Sequence, residues 1–205
     1  MAQSGRFIVL EGPDGCGKST QMKRLAERLR SLEREVDLVR DPGGTPVGEV
    51  IRGILLNPDF AEMSVRTEML LYMASRAQLV QECISPALEA GRIVLSDRYL
   101  TSTIVYQGLA GGMKLDDINS LYEYACGELQ PDLVVVLDVP VDVGRSRLSG
   151  GLDRMESKSL AFQEKVRQGY LKVAEMDPDR HVVIDASQSK ETVAEAVWKA
   201  VEHVL

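Results

Sequence analysis

The chain has 205 residues, of which 44% are hydrophobic, and this length and composition suit one compact domain that spans residues 1–205. A formal net charge of -7 argues against a protein that coats nucleic acid or an anionic membrane, because both uses need a basic surface. Residues 1–6 lack a signal-peptide pattern and no apolar run approaches the roughly 20 residues that span a bilayer, so we expect a cytoplasmic protein.

Five short apolar runs alternate with longer helical patterns along the chain. Their apolar residues are continuous, which is typical of strands that are covered on both faces of a parallel sheet. The runs lie at residues 7–11, 36–40, 92–97, 133–138 and 181–185. The helical patterns lie at residues 18–33, 64–90, 115–129, 157–175 and 190–203. This order predicts a doubly wound α/β domain with a five-stranded parallel sheet and helices on both faces.

The first run is followed by a glycine-rich loop, "GPDGCGKS", which fits the pattern G-x-x-x-x-G-K-[ST]. Its glycines let successive backbone N–H groups point at phosphate oxygens, and the helix that follows adds its positive dipole end. We expect Lys18 to reach the β- and γ-phosphates and the Ser19 hydroxyl to hold Mg²⁺. The predicted contacts to a nucleoside triphosphate are Gly12, Pro13, Asp14, Gly15, Cys16, Gly17, Lys18, Ser19 and Thr20. The loop alone does not distinguish a kinase from an ATPase or a GTPase.

Two further strands end in a carboxylate that could serve the metal. Asp97 and Asp138 each follow an apolar run, and ligands gather at the carboxyl ends of parallel strands. Asp97 is the favoured metal residue because Arg98 beside it makes a site of mixed charge. A surface salt bridge at the strand end is the alternative for both residues.

The helix predicted at residues 64–90 is apolar on several sides. Tyr72 and Arg76 lie one turn apart on one face, where they could offer a ring for stacking and a guanidinium for a carbonyl. Such a helix needs cover on more than one side, which either a second subunit or the core of a monomer can supply.

Several of the arginines stand in two further clusters. One is "RDPGGT" at residues 40–45, with Arg52 beyond it. The other spans residues 144–158, where Arg145, Arg147 and Arg154 flank the glycine pair at 150 and 151.

Taken together, "GPDGCGKST", "DPGGT", "YMASR", "SDRY", "YQG" and "LDRME" resemble the thymidylate kinase family of P-loop nucleoside monophosphate kinases. The resemblance runs from about residue 5 to residue 200. It implies transfer of the γ-phosphoryl group of ATP to dTMP, giving dTDP and ADP for dTTP biosynthesis, with Mg²⁺ as cofactor. It also implies a homodimer and a mobile lid at about residues 144–158.

The resemblance also implies a role for each acceptor-site residue. Arg98 and Arg52 would bind the 5′-phosphate of dTMP, since guanidinium forks match phosphate oxygens. Tyr72 would stack on thymine and Arg76 would bond its exocyclic oxygen. Tyr106 would fill the space of a ribose 2′-OH, while Asp14 would accept from the 3′-OH and help to position Mg²⁺ near Asp97. The remaining predicted contacts to dTMP are Pro42, Ser102, Thr103 and Gln107.

Members of the family differ in where the catalytic arginine stands, in the phosphate loop or in the lid. The variable loop positions 13–16 of this chain hold no arginine, so the resemblance implies a basic lid of the bacterial type. Arg147 and Arg154 would then act with Lys18 and Arg98, and no general base is needed because the acceptor phosphate is already nucleophilic. Ala186 and Gln188 would line the adenine, on which Arg145 would stack; an ordinary strand-to-helix turn is the alternative.

Four positions depart from the family pattern, and other functions stay open. Asp41 stands where glutamate is common and Tyr72 where phenylalanine is common. Thr103 occupies a position that varies in the family. Cys16 stands near a helix start and Lys18, from which we expect a lowered thiol pKa and mild sensitivity to oxidation. The competing functions are a kinase for another monophosphate or a deoxynucleoside, an ATPase motor, and a GTP- or ATP-dependent switch; the chain lacks the N-K-x-D guanine reader of GTPases.

Overall fold

The computed structural model describes residues 5–148, 151 and 153–205. These residues form a sheet of five parallel strands in the order β2-β3-β1-β4-β5. The strands are β1 Arg6–Glu11, β2 Val36–Arg40, β3 Ile93–Asp97, β4 Leu133–Asp138 and β5 His181–Asp185. The predicted doubly wound fold is therefore confirmed. In the described part of the chain no helix combines the length and apolar character that crossing a membrane requires.

Helices cover both faces of the sheet. Successive strand residues point to opposite sides, so the apolar strands present an apolar surface on each face, and each surface needs cover. Phe7 and Val9 belong to one core cluster, while Ile8 and Leu10 belong to the other. The helices are α1 Lys18–Ser31, α2 Pro46–Leu56, α3 Val65–Leu79, α4 Ser85–Glu89, α5 Leu100–Thr103, α6 Leu115–Cys126, α7 Val141–Ser146, α8 Leu160–Met176 and α9 Lys190–Glu202. The first and last of these pack on one face, and α3, α6 and α8 pack on the other.

The predicted helix at residues 64–90 comprises three consecutive helical segments. They are α3, a π-helical turn at Val80–Ile84 and α4. Ser64 begins the helix, since its side chain accepts from the backbone N–H of Thr67. Met69 and Met73 are buried, whereas Leu70 is 48% exposed. On α3, Leu70 is thus an apolar side chain that the described residues leave about half exposed.

Three short helices were not predicted from the sequence: α2, α5 and α7. The sequence does contain signals for the start of α2, namely Thr45 as N-cap and Pro46 in the first turn. Two glycines, Gly48 and Gly53, lower its intrinsic helix propensity and hide the pattern. A π-helical turn at Ile104–Leu109 continues α5.

The crossovers of the sheet open a crevice at the carboxyl end of β1. The helix that follows β1 packs on one face, whereas α6 after β3 and α8 after β4 pack on the other face; β3 and β4 are the two neighbours of β1. Loops after adjacent strands therefore diverge at this point, which is the position where doubly wound sheets bind ligands. The glycine-rich loop and Asp97 both lie at this crevice.

Candidate active site

The glycine-rich loop joins β1 directly to α1. Gly12, Gly15 and Gly17 have φ angles of 135°, 75° and 98°, a region that side chains disfavour. A Cβ on Gly15 would stand 2.0 Å from the carbonyl oxygen of Gly144, so the turn also approaches α7 too closely for any side chain. The loop thus depends on glycine at the two positions that the pattern fixes, Gly12 and Gly17, and also at Gly15, which the pattern leaves variable.

Lys18 and Ser19 project from the first turn of α1. The Lys18 ammonium is buried and donates to the carbonyl oxygens of Gly12 at 3.0 Å and Pro13 at 3.2 Å. The Ser19 hydroxyl donates to Asp97 Oδ2 at 3.4 Å. A hydroxyl beside one carboxylate fits Mg²⁺ that keeps several waters and also binds phosphate oxygens. Among the described residues no group of three or more His, Cys, Asp or Glu side chains could form a closed metal site.

The second metal candidate, Asp138, is engaged elsewhere. Its two oxygens accept from Arg167 Nε and Nη2, both at 2.8 Å, in a bidentate ion pair with α8. The salt-bridge alternative therefore describes Asp138, and Asp97 is the strand-end carboxylate that faces Ser19.

The carboxylate of the loop, Asp14, points towards Arg98. Its Oδ1 accepts from Arg98 Nη2 at 2.5 Å, and its Oδ2 accepts from the Tyr106 hydroxyl at 3.4 Å. Burial alone would raise the pKa of Asp14, but the positive charges of Arg98 and Lys18 lower it below its usual value. Asp14 is thus an ionised group that belongs to the neighbouring cavity.

That neighbouring cavity, the central cavity, is bounded by α2, α3, α5 and the loop. All ten residues predicted to contact dTMP line it: Asp14, Pro42, Arg52, Tyr72, Arg76, Arg98, Ser102, Thr103, Tyr106 and Gln107. They come from six separate stretches of the sequence, so the fold brings together a set that the chain disperses. Asp41, Leu56, Asp153 and Met155 complete the lining.

Arg76 is 1% exposed and held by three groups. Its Nε donates to Asp41 Oδ2 at 2.5 Å, and its Nη2 donates to the Tyr99 carbonyl at 3.1 Å and to Thr103 Oγ1 at 2.9 Å. Burial raises the pKa of Asp41, and the positive charge of Arg76 opposes that increase. The guanidinium is fixed in the wall of the central cavity, and the Thr103 hydroxyl accepts a hydrogen bond from it.

Glu68, which the sequence did not single out, links the central cavity to residues 153–158. It is 1% exposed and accepts from Gln107 Nε2 at 2.6 Å, from Arg154 Nη1 at 2.6 Å and from Lys158 Nζ at 3.4 Å. A glutamate inside a helical pattern gives no sequence signal, because such residues are mostly exposed.

The three arginines of the predicted lid lie in three different places. Arg154 is buried against Glu68, and its Nε donates to the Leu55 carbonyl at 2.6 Å. Arg147 Nη1 donates to the Ala186 carbonyl at 3.0 Å. Arg145 lines a small cavity together with Pro13 and Asp14. Residues 149, 150 and 152 of the predicted lid, Gly150 among them, lie outside the described residues.

The predicted adenine loop follows β5. Asp185 accepts from the Ser187 backbone and hydroxyl and from Gln188 Nε2, and these bonds lower its pKa to about 2. A cavity beyond the phosphate loop, the outer cavity, is lined by predicted contacts to the nucleoside triphosphate: Cys16, Gly17, Thr20, Ala186 and Gln188, with Arg147 beside them. Arg147, and not Arg145, is thus the lid arginine next to the adenine loop in this structure.

The expectation for Cys16 is wrong. The thiol is 2% exposed, and burial raises its pKa, with only a partial offset from the positive charge of Lys18. The helix start and the lysine are both present, but the desolvation of the thiolate outweighs them.

Comparison with known proteins agrees with this site. The sequence model of the family described as "Thymidylate kinase" matches residues 10–197. A thymidylate kinase of Syntrophotalea carbinolica is 46% identical over 97% of this chain and 96% of the relative. One from Pseudomonas fluorescens is 50% identical over 90% and 89%, and one from Exiguobacterium sibiricum is 44% identical over 97% and 94%. The chain belongs to the thymidylate kinase family.

Proposed function

We propose that this chain is an ATP-dependent dTMP kinase that acts in the cytoplasm, converting ATP and dTMP to ADP and dTDP on the route to dTTP. The observation that supports it most is the central cavity beside the phosphate loop, which is lined by the ten residues expected to contact dTMP. Membership of the thymidylate kinase family agrees with this substrate pair. No feature of the site favours a guanine-dependent switch.

In the proposed mechanism, the phosphate loop binds ATP and Arg98 binds the acceptor phosphate. Phosphoryl transfer through a loose transition state needs alignment and positive charge more than a strong base. Lys18 at the loop and Arg98 at the central cavity supply charge from the two sides. Arg147 and Arg154 are the arginines that we assign to the lid, and Arg154 would have to leave Glu68 to reach the transferred group.

Asp14 is proposed to orient both Arg98 and the acceptor sugar. Its ion pair with Arg98 fixes one edge of the guanidinium, and the carboxylate can also accept from the 3′-OH. Tyr106, which donates to the same carboxylate, occupies the place where we expect a ribose 2′-OH to be excluded. This pair would therefore select deoxyribose.

Mg²⁺ is the proposed cofactor, with Ser19 and Asp97 as the residues that would hold it. The 3.4 Å contact between the Ser19 hydroxyl and Asp97 supports the assignment. When bound, the ion supplies positive charge to the phosphate oxygens as negative charge develops.

We also propose a homodimer through α2 and α3. Val47 and Val50 on α2 are 51% and 67% exposed, and Leu70 on α3 is 48% exposed. These side chains make an apolar surface that a second copy could cover.

The proposed function is tested by ADP release from Mg-ATP against a panel of nucleoside monophosphates. We expect strong stimulation by dTMP and weak stimulation by AMP, CMP and GMP. Stimulation by another monophosphate alone would replace dTMP as the acceptor, and equal ADP release without any acceptor would identify an ATPase.

A further inference from the structure

The last residue of β1, Glu11, is a fully buried carboxylate next to the active site. It is 0% exposed and accepts four hydrogen bonds. Its Oε1 accepts from the backbone N–H groups of Tyr99 at 2.9 Å and Ser102 at 3.1 Å. Its Oε2 accepts from the Ser102 hydroxyl at 2.6 Å and the Tyr170 hydroxyl at 3.1 Å. The carboxylate thus ties together β1, the start of α5 and α8.

The same two hydroxyls also contact Arg98. Arg98 Nη1 donates to Ser102 Oγ at 3.1 Å and to the Tyr170 oxygen at 2.8 Å, and the two hydroxyl oxygens lie 2.8 Å apart. On the other side, Arg98 Nη2 donates to Asp14. The guanidinium is therefore held by Asp14 at one nitrogen and by a pair of hydroxyls at the other.

The direction of these hydrogen bonds follows from chemistry. An ionised carboxylate only accepts, and a guanidinium only donates, so a hydroxyl between them must donate to the first and accept from the second. Four donors surround Glu11, which fits its ionised form. Burial raises the pKa of Glu11, and the positive charge of Arg98 opposes that increase. Glu11 thereby turns the lone pairs of Ser102 and Tyr170 towards Arg98.

We propose that Glu11 is a positioning residue for the acceptor phosphate, acting through Ser102 and Tyr170 on the orientation of Arg98. The inference rests on the proposed function, since Arg98 is taken to bind the phosphate of dTMP. It assigns roles to two residues, Glu11 and Tyr170, that touch Arg98 or its partners and that the acceptor-site pattern does not include.

Glu11→Gln tests the role with little change in shape. The amide nitrogen would donate where Oε2 accepts, so at least one hydroxyl would have to turn its proton towards Arg98. We expect the dissociation constant for dTMP, measured by calorimetry, to rise about ten- to a hundredfold, the effect typical of losing a hydrogen bond to a charged group. The affinity for thymidine, which has no phosphate, should stay within about threefold of the wild-type value. The ratio of dTMP affinity to thymidine affinity therefore falls.

A merely structural role would move both affinities together, because a loosened α5 affects the base contacts as well. An unchanged ratio of dTMP to thymidine affinity in Glu11→Gln overturns the inference.

Tyr170→Phe keeps the test decisive where Glu11→Gln fails to fold. It removes one hydroxyl and keeps the ring, and we expect the affinity ratio to fall severalfold. The matched control is Tyr122→Phe, which also loses a buried hydroxyl but one that bonds to Tyr99 and Leu129, away from Arg98. The inference is overturned if the ratio of dTMP affinity to thymidine affinity is the same in Tyr170→Phe and in Tyr122→Phe. Wild-type protein without dTMP-stimulated ADP release overturns the proposed function itself, and this inference falls with it.

Discussion

At the scale of single residues, the site is governed by how each carboxylate is paired. Asp14 pairs with Arg98, Asp41 with Arg76 and Glu68 with Arg154, each within 2.6 Å. Buried pairs of this kind depend on both members, because removal of one leaves the other charge without compensation. The acidic residues of the site thus orient arginines that are expected to contact phosphate groups, Arg98 and Arg154, and one that is expected to contact thymine, Arg76.

Asp14→Asn is expected to weaken acceptor binding more than ATP binding. The variant keeps the size of the side chain but loses the ion pair with Arg98 and the acceptor for a 3′-OH. We expect the KM for dTMP to rise about tenfold or more, with a KM for ATP within about threefold. Steady-state kinetics with each substrate varied in turn would measure this.

The control for this prediction is Asp37→Asn, which breaks an ion pair with Arg92 far from the crevice. It should leave both KM values unchanged. A variant Asp14→Asn that loses only ATP affinity would show that the carboxylate serves the triphosphate instead.

The residue-scale features divide clearly into those the sequence could predict and those it could not. Tyr72, Arg76 and Arg98 stand in compact, recognisable patterns, and the central cavity brings them together. Glu11 and Tyr170 are 159 residues apart in the chain, and nothing near either residue signals that they meet. Burial of Cys16 was equally invisible, because it depends on packing of the loop against the core and not on neighbouring charges.

At the scale of elements, the strands were predictable and the short helices were not. All five apolar runs are strands. The expected cover on both faces holds for β1, β3 and β4, whereas the edge strands β2 and β5 are partly exposed because each has a neighbour on one side only. Helices such as α5 and α7 have four and six residues, too few for a helical period to show. Neither helix is capped by the side chain of its N-cap residue; α5 instead begins where Glu11 of β1 accepts from the backbone N–H groups of Tyr99 and Ser102.

The next prediction concerns two arginines of the predicted lid, Arg147 and Arg154. We expect Arg147→Ala and Arg154→Ala to lower kcat by a factor on the order of 10³, with a smaller change in ATP affinity, as for other phosphotransferase arginines. Only Arg154→Ala should also destabilise the fold, by about 3–5 kcal/mol, because it removes the closer of the two cations that the described residues place on buried Glu68 and leaves Lys158 at 3.4 Å and the neutral Gln107.

Kinetics and chemical denaturation of both variants, and of Arg145→Ala beside them, would separate these effects. A double variant of Arg147 and Arg154 with near wild-type turnover would refute the lid assignment.

A third prediction concerns the contact between β5 and α5. His181 at the start of β5 bonds Thr101 through Nε2 at 3.2 Å, and its Nδ1 faces Asp177. Burial lowers the pKa of His181 below 6.5; the hydrogen bond to the backbone carbonyl of Asp177 and the Asp177 carboxylate oppose this decrease, and the positive charge of Arg180 adds to it. The unfolded chain therefore binds more protons than the native protein just below pH 6.5, so stability falls as the pH falls through this range.

The measurement is the Tm at pH 7.5 and at pH 5.5. His181→Gln should show a smaller decrease in Tm than the wild type, and the exposed His203→Gln should behave as the wild type does. Equal decreases in the wild type and His181→Gln would contradict the assignment.

At the scale of the whole molecule, an acidic protein gathers three arginines at one cavity, beside three aspartates. The chain has a formal net charge of -7, yet Arg52, Arg76 and Arg98 line one cavity, and Lys18 begins the helix that follows the phosphate loop. The small number of basic side chains at the crevice suits a compact anion such as a nucleotide, whereas an extended polyanion would meet a mostly acidic surface.

The homodimer is also a whole-molecule property. We expect light scattering to give twice the chain mass at micromolar concentration. Leu70→Glu should give the mass of a single chain, since it places a charge in the apolar surface of α2 and α3. The matched control is Leu160→Glu on α8, which is 59% exposed and should stay dimeric. A wild-type protein with the mass of one chain would contradict the proposed dimer.

The central claim is that the γ-phosphoryl group passes from ATP at the phosphate loop to dTMP in the central cavity. The direct measurement is to incubate the protein with Mg-ATP labelled in the γ-phosphate and with dTMP, and then to separate the products. We predict that the label appears in dTDP. Label found only in inorganic phosphate, at a rate that does not depend on dTMP, would contradict the account.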